Sequence, residues 1–200
     1  MPSTPAEPSA LVQRRQRQVQ QRIVAAASDL FAARGFGAVS VNDIAERAEV
    51  GRKTFFRHFG DKQEVVFARE QELLDLVATE TLEAPGTGDR TASDALRALE
   101  PVLLRLCARM TSDVDGYRRH LALVEEHAEL GAREAAKLQL VAGRFRDLLG
   151  AQGWADDAAT LAAEVALACY WTARRTSPDP ATLVDATRTA VRRALELGSG

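Results

Sequence analysis

The amino-acid sequence predicts an all-α protein of about nine helices. Alanine, leucine, glutamate and arginine, which favour helices, dominate its 200 residues, and it contains only 13 glycines and 7 prolines. Apolar residues recur at intervals of three and four, the spacing of one helix face, while β-branched residues are scattered. A chain of this length can bury a sizeable core and forms one or two domains.

The first predicted helix runs from about Arg15 to Arg34. Its apolar face comprises Ile23, Ala26, Ala27, Leu30 and Phe31. Gly35 ends it, because the residue after a helix often takes a left-handed backbone that glycine adopts without strain. Residues 1–13 before it are rich in proline, serine and alanine, and we predict that they form a disordered N-terminal arm.

Two short helices follow and predict a helix-turn-helix. Ser40 and Asp43 form a capping-box pattern at the start of the first of these helices. The turn at residues 49–51 separates it from the second, which runs from Arg52 to about Phe59. Packed against the first helix, the two short helices make a compact three-helix arrangement.

The three helices define an N-terminal domain of residues 14–60, and residues 61–200 form a C-terminal helical domain. Asp61 caps the first helix of the second domain, which we predict to run unbroken past Leu82. The segment 83–90, EAPGTGDR, is a linker. Later amphipathic segments lie at about Ala92–Thr111, Tyr117–Ala128, Ala132–Leu149, Asp156–Arg174 and Pro180–Leu197.

Charge is distributed unevenly along the chain. From Arg14 to Lys62 there are ten basic and five acidic residues, a net charge of +5, whereas the whole chain carries −2. A basic head on an acidic body indicates that the head meets a polyanion. The run Arg14–Gln18, RRQRQ, is either the solvated start of a helix or a basic arm that follows phosphates.

Composition also bears on the compartment and on membrane insertion. Cys107 and Cys169 lie far apart and match no metal or redox spacing, which predicts two buried free thiols in a reducing cytoplasm. The start MPSTPAEPSA lacks the apolar run of a secretory signal. The longest weakly charged stretch, residues 161–173, contains Glu164 and is too short for a bilayer. We therefore expect a cytoplasmic protein without a membrane partner.

The segment GRKTFFRHF, residues 51–59, has two faces. Phe55 and Phe59 lie four residues apart and belong to a small core. The other side carries Arg52, Lys53, Phe56 and Arg57. Arginine and lysine on an exposed helix can bond guanine in the major groove of DNA. The alternative is a solvated charged face on an ordinary amphipathic helix.

An ordered set of residues favours the DNA-binding interpretation. It comprises Gly35-Phe36, Val39-Ser40-Val41, Asp43-Ile44-Ala45, Ala48, Val50, Thr54-Phe55-Phe56-Arg57-His58-Phe59 and Asp61-Lys62. In this order and spacing, the set resembles the DNA-binding domain of the TetR family of bacterial transcriptional regulators. The resemblance covers about Ile23 to Val66, roughly a fifth of the chain, and the remainder matches the family only in length and helical character.

The resemblance implies a homodimeric repressor, or occasionally an activator, that binds a palindromic double-stranded DNA operator and responds to a small-molecule effector. It implies that Arg52, Lys53 and Arg57 read bases and that Asn42 reaches a base or a phosphate. Phosphate or sugar contacts are implied for Thr54, Phe56, His58 and Lys62, and Ser40 completes the expected DNA-binding set.

Three residues depart from the family pattern. Phe56 replaces the usual tyrosine, so it has no hydroxyl with which to bond a phosphate. Glu49 stands where glycine is common, so we predict a left-handed backbone at a residue that suits it poorly. Gly51 replaces the usual serine or threonine cap and weakens the start of the recognition helix slightly.

The last two helices are expected to form the dimer interface. Alanines recur every four residues in the last helix, which permits close helix approach, and the resemblance implies a four-helix bundle across a two-fold axis. The expected interface residues are Leu161, Val165, Leu183, Ala186, Ala190, Val191 and Ala194. Packing inside one chain is the alternative.

A mostly apolar effector pocket is expected in the C-terminal domain. Its candidate lining is Leu103, Cys107, Met110, Tyr117, His120, Leu121, Val124, Phe145, Tyr170 and Trp171. Ordinary core packing is the alternative for each of these residues. His120 and His127 are seven residues apart, which does not favour a metal site, and we expect no cofactor.

Two other functions compete with the regulator. No nucleophile motif, phosphate-binding glycine loop or catalytic carboxylate pair is recognisable, so we expect no enzyme. A helical metabolite-binding protein without sequence-specific DNA binding is the first alternative. An architectural DNA-coating protein is the second, and the acidic C-terminal body argues against it.

Overall fold

A computed structural model of the chain describes residues 10–82, 90–177 and 179–197, except the side chains at positions 10, 13 and 69–72. Within these ranges all regular secondary structure is helical, which confirms the all-α class. The chain forms two compact units, one ending at Ala68 and the other beginning at Arg69. The predictions for residues 1–9 and for linker residues 83–89 lie outside the described residues.

The described residues of the first unit form four helices. They are α1 (Ala10–Arg34), α2 (Val41–Arg47), α3 (Arg52–His58) and α4 (Lys62–Val66). The helix α1 starts five residues earlier than predicted, because the good helix formers around Arg14 and Arg15 outweigh the proline-rich start. Residues 10–13 of the expected disordered arm are therefore helical. The helix α4, assigned from the sequence to the C-terminal domain, packs against α1 in the first unit.

The local signals at the helix ends of this unit are confirmed. Ser40 and Asp43 form a complete capping box at α2, and the Asp61 side chain accepts a hydrogen bond from the Glu64 backbone N–H at α4. Gly35 has φ 78°, the left-handed conformation expected after α1. These caps satisfy backbone donors that a short helix leaves without partners.

Phenylalanines form the centre of the small core of the first unit. Phe55 of α3 is fully buried, and its ring centroid lies 5.9 Å from that of Phe59. Phe31 of α1 and Phe36 contact each other with ring centroids 5.1 Å apart. Each fully buried phenylalanine contributes roughly 1.5–3 kcal/mol, so these rings fix short helices that would not be stable alone.

Where the structure describes the second unit, it forms six helices and a short 3-10 turn at Pro180–Thr182. Its helices are α5 (Ala68–Thr79), α6 (Ala92–Met110), α7 (Val114–Glu126), α8 (Ala128–Ala151), α9 (Asp156–Thr176) and α10 (Leu183–Leu197). The alanine-rich helix α9 is central and packs against α6, α8 and α10. Its small side chains allow these close approaches.

Two predicted helix boundaries are wrong. The single helix from Asp61 past Leu82 is interrupted at Phe67, whose N–H bonds the Glu64 carbonyl and closes a tight final turn of α4. The break predicted at residues 129–131 is absent, because α8 begins at Ala128 and runs through them. The described residues thus form ten α-helices rather than about nine.

None of the described helices combines the length and the apolar character needed to cross a membrane.

Candidate functional site

The turn between α2 and α3 positions the recognition helix. Glu49 has φ 53°, so the predicted left-handed backbone is confirmed at a residue that is not glycine. The Val50 N–H donates to the Ala45 carbonyl at 2.9 Å and ties the turn to α2. Gly51 starts α3 without a side-chain cap, as its sequence predicted.

The outer face of α3 is basic and exposed. Arg52, Lys53 and Arg57 all lie at the surface, and Phe56 is 44% exposed. The Arg52 guanidinium lies 5.5 Å from the centroid of the Phe56 ring, a cation–π distance. The Phe56 ring in turn stands edge-on to the buried Phe55, with centroids 5.5 Å apart. An exposed aromatic ring therefore orients one of the expected base-reading cations.

The two residues at the start of α2 that are expected to contact DNA, Asn42 and Ser40, differ in how available their side chains are to a ligand. Asn42 is exposed. The Ser40 hydroxyl instead donates to the Asp43 carboxylate, and the Asp43 N–H donates to that hydroxyl at 3.2 Å. These bonds from the Ser40 side chain and backbone hold the pKa of Asp43 below its usual range. Ser40 thus serves chiefly as the helix cap.

The Lys62 side chain stabilises the fold of the first unit. Its Nζ donates to the backbone carbonyls of Phe36 and Val39 at 2.8 and 2.9 Å, and the Gly37 carbonyl lies at 3.5 Å. The same ammonium lies 4.4 Å from the Phe36 ring centroid. Lys62 therefore fastens the α1–α2 connection to α4, a role that differs from the phosphate contact expected from the sequence.

Thr54 and His58 lie at the edge of α3, and both are half-buried. The His58 Nε2 atom is buried and has no hydrogen-bond partner among the described residues. Burial, with the neighbouring Arg57 charge, lowers the pKa of His58 below its ordinary value of 6.5. The free protein therefore holds this imidazole neutral near pH 7.

In the second unit, the residues of the expected effector pocket lie in or against the core. Leu103, Cys107, Tyr117, Val124, Phe145 and Tyr170 are buried, and Met110, His120, Leu121 and Trp171 are half-buried. The Tyr117 and Tyr170 hydroxyl oxygens are 3.2 Å apart. Burial raises the pKa of the Cys107 thiol to about 11, so this cysteine is an inert core residue at neutral pH.

Sequence reasoning missed two charged residues in this core. Glu134 of α8 is only 2% exposed, and Arg174 Nη1 of α9 lies 2.8 Å from both of its carboxylate oxygens. The His120 Nε2 atom lies 3.2 Å from Glu134. Burial alone raises the pKa of Glu134, but the bonds and charges of His120 and Arg174 outweigh it and lower that pKa.

A sequence signal for this ion pair exists. Glu134 stands between Leu130 and Leu138 at four-residue spacing, so it interrupts the apolar face of a helix. Arg174 follows Tyr170 by the same spacing. Charged residues at core positions require buried partners. Across the described residues, no group of three His, Cys, Asp or Glu side chains is arranged to hold a metal ion.

The helices α9 and α10 present an open groove of about 670 Å³. Four residues of the expected dimer interface line it, namely Val165, Ala186, Ala190 and Ala194. Leu161 lies outside the groove lining and is 56% exposed, whereas Leu183 and Val191 are buried within the unit. The structure therefore places part of that set at the surface and part in the core.

Comparison with known proteins establishes the family. Residues 23–68 match the model of the bacterial regulatory proteins of the tetR family. The transcriptional regulator TcmR of Streptomyces glaucescens is 31% identical over 156 residues, which are 77% of this chain and 68% of TcmR. The chain belongs to the TetR family. It is accordingly a helix-turn-helix transcriptional regulator, and such regulators are not enzymes.

A shorter sequence match and a structural likeness accompany these findings. The transcriptional repressor Rv3405c of Mycobacterium tuberculosis is 49% identical over 51 residues, 26% of this chain and 27% of Rv3405c. The complex of SmeT with triclosan covers 90% of each chain with a TM-score of 0.57 and 16% identity. SmeT is the repressor of a multidrug efflux pump of Stenotrophomonas maltophilia. At that identity, the likeness to SmeT concerns the fold alone.

Proposed function

We propose that this TetR-family regulator is a homodimeric repressor that binds a palindromic operator and releases it when a small, mostly apolar effector binds. The observation that carries the DNA-binding part is the outer face of α3. There Arg52, Lys53 and Arg57 are exposed, and none of them forms an ion pair with a described residue. Three unpaired cations on a rigidly packed helix suit the major groove.

In this proposal Arg52, Lys53 and Arg57 read base edges, and Asn42 reaches a base or a phosphate. Thr54 and His58 at the edge of α3 contact the backbone of the DNA. The Phe56 ring packs against a sugar or a thymine methyl group, because it has no hydroxyl to offer a phosphate. The cation–π contact with Phe56 limits the motion of Arg52 and reduces the entropy cost of its binding to a base.

The proposed dimer uses the groove on α9 and α10. A second copy of the chain is the occupant that fits, because alanines at 186, 190 and 194 leave room for a helix at close range. The exposed Leu161 adds apolar surface on α9, beside the groove. A two-fold dimer places one recognition helix in each half-site, separated by about 34–36 Å or a multiple of that distance.

The proposed effector binds in the core of the second unit, among the residues around Leu103 and Phe145. The expected lining is apolar apart from Tyr117, Tyr170 and His120, and the buried Glu134–Arg174 pair lies beside His120, so the site offers few polar contacts. The bound triclosan of SmeT, a neighbour in fold, supports a small-molecule ligand. Such a ligand causes release of DNA only if it binds the DNA-incompetent state more tightly than the DNA-binding state. Operator DNA must then lower the affinity for the ligand by the same factor by which the ligand lowers the affinity for DNA.

Selection of bound duplexes from a random library tests the DNA-binding part. We expect enrichment of an inverted repeat, and Arg52→Ala should relax preference at one position of each half-site at a cost of about 1–3 kcal/mol. Arg22→Ala, which removes the same charge from α1, serves as the control and should leave the ranking of sequences unchanged. Recovery of sequences indistinguishable from the input library would refute the proposal.

A further inference from the structure

The second and third turns of α1 lie beside the end of the recognition helix and form a notch with it. Gln16, Arg17 and Gln20 line one wall, and Arg57 and His58 of α3 line the other. The volume of this notch is about 280 Å³. All five side chains are polar, and together they supply two guanidinium groups, two amides and an imidazole.

The electrostatic character of the notch is cationic. Two arginines, Arg17 and Arg57, converge on it, and neither forms an ion pair with any described residue. No carboxylate contributes to the lining. Like charges that face each other across a narrow space repel, and an anion placed between them would remove that repulsion. Guanidinium forks and amide N–H groups also match the oxygens of a phosphate.

His58 adds a second and independent indication of a ligand. Its ring lines the notch, while its Nε2 atom is buried and has no partner among the described residues. Polar atoms in such positions are normally hydrogen-bonded in a folded protein. An oxygen atom brought into the notch is close to both the imidazole and the two guanidinium groups.

We propose that this notch holds a backbone phosphate of duplex DNA, with Arg17 and His58 as its principal contacts and Gln16 and Gln20 as neutral donors. The proposal rests on DNA binding by α3 and extends the interface to α1. Because α1 and α3 both contact the held phosphate, the contact fixes the register in which α3 enters the groove. It also gives the RRQRQ segment a specific role, since Gln16 and Arg17 belong to that segment.

Salt dependence of DNA binding provides the test. The affinity of the full-length protein for a short duplex of arbitrary sequence is measured by fluorescence anisotropy between about 50 and 200 mM salt. Arg17→Gln should lower the slope of log K against log salt by about 0.9 for each phosphate that is no longer neutralised, or about 1.8 for a dimer with two notches. Arg17→Lys keeps the charge and should restore most of that slope.

The matched control is Arg15→Gln. Arg15 is exposed at the same end of α1 but lies two residues, about 200°, around the helix from Arg17. The proposal requires the salt slope of DNA binding by Arg15→Gln to equal that of the unaltered protein. An equal reduction in both variants would mean that α1 contributes only diffuse positive charge and would overturn the proposal. Unchanged melting temperatures of both variants confirm that the fold is intact.

A free phosphate-bearing molecule is the other source of the same chemistry. Thermal shift with millimolar inorganic phosphate and with ATP distinguishes it from the DNA backbone. Stabilisation that depends on Arg17, together with an unchanged DNA salt slope in Arg17→Gln, would overturn the assignment to DNA. Failure of the unaltered protein to bind any duplex would instead refute the proposed function, and the two failures are therefore distinguishable.

Discussion

Arg174 Nη1 lies 2.8 Å from both carboxylate oxygens of Glu134, in the core of the second unit. The two residues come from α9 and α8, and the Arg174 guanidinium also lies 5.1 Å from the centroid of the Trp171 ring. The side chains of Glu134 and Arg174 are only 3% and 10% exposed. This pair thus joins two helices through charges that water cannot screen.

Removal of one partner should be far more damaging than replacement of both. Arg174→Met leaves the Glu134 carboxylate buried with only His120 beside it, and we expect a decrease of about 3–5 kcal/mol in the free energy of unfolding. The double variant Glu134→Leu with Arg174→Met removes both charges and should recover most of that decrease. Urea unfolding of the three proteins measures both values. Equal destabilisation in the single and double variants would contradict this account.

Lys62→Met should destabilise the first unit without weakening the electrostatic attraction to DNA. The substitution keeps the apolar stem but removes bonds from a charged donor to the Phe36 and Val39 carbonyls. Bonds of this kind contribute about 1.5–3 kcal/mol, and the two carbonyls are left without this donor. Thermal unfolding should show the destabilisation, while the salt slope of DNA binding below the melting temperature stays unchanged. A smaller salt slope would restore Lys62 to the phosphate contacts expected from the sequence.

Phe56→Tyr should strengthen binding to DNA of any sequence. The Phe56 ring is 44% exposed, so an added hydroxyl stays in solvent in the free protein and incurs no burial cost. In the proposed complex the hydroxyl would bond a phosphate, the contact that the resemblance implies for a tyrosine at this position, and such a bond is worth about 0.5–1.5 kcal/mol. Anisotropy titrations on the operator and on an arbitrary duplex should show the same increase in affinity. An increase confined to the operator would mean that the hydroxyl reads a base.

The pH dependence of stability should carry a contribution from His58. Burial and the Arg57 charge place its pKa in the folded protein below the ordinary value of 6.5. The unfolded chain therefore binds more protons between these two pKa values, so the free energy of unfolding decreases as pH falls below about 6.5. The contribution is fully present above that pH.

His58→Gln isolates this contribution, because every other titrating group is common to both proteins. Denaturation midpoints measured from about pH 7.5 to 5.5 should fall more gently in the variant than in the unaltered protein. Parallel curves for the two proteins would contradict the assignment.

Local sequence signals were sufficient for several helix ends of the helix-turn-helix. Ser40 with Asp43 predicted a cap and Gly35 predicted a left-handed turn, because each signal acts within a few residues of its effect. The left-handed backbone at Glu49 was predicted from the family resemblance, since glycine is common at that position. The interruption at Phe67 has no such signal. The surrounding sequence VVFARE contains neither glycine nor proline, so sequence patterning alone could not locate the break.

Polar contacts between residues far apart in the sequence could not be predicted, because no local signal marks them. Lys62 bonds carbonyls that precede it by 23 and 26 residues, and Glu134 bonds an arginine 40 residues later. A single sequence gives no distance information at that separation. Glu134 was still recognisable as a charged residue on an apolar helix face, but its partner was not. The helix wheel of α3 likewise identified the exposed cations but could not place α1 beside them.

Dimer formation should be abolished by a charge placed in the groove between α9 and α10. Ala190 is half-buried and lines this groove, so Ala190→Glu brings a carboxylate and its symmetry mate into the proposed interface. The two buried like charges cost several kcal/mol of binding free energy, which is enough to dissociate a dimer of moderate affinity. Ala136→Glu on the exposed face of α8 is the control, since that alanine lies outside the groove.

Light scattering coupled to gel filtration gives the mass of each variant. We expect the unaltered protein and Ala136→Glu to be dimers and Ala190→Glu to be a monomer with an unchanged melting profile. The monomer has one recognition helix, so it lacks the added affinity that two linked half-site contacts provide. Its affinity for a palindromic duplex should therefore fall to that for a single half-site. A dimeric Ala190→Glu variant would place the interface elsewhere on the molecule.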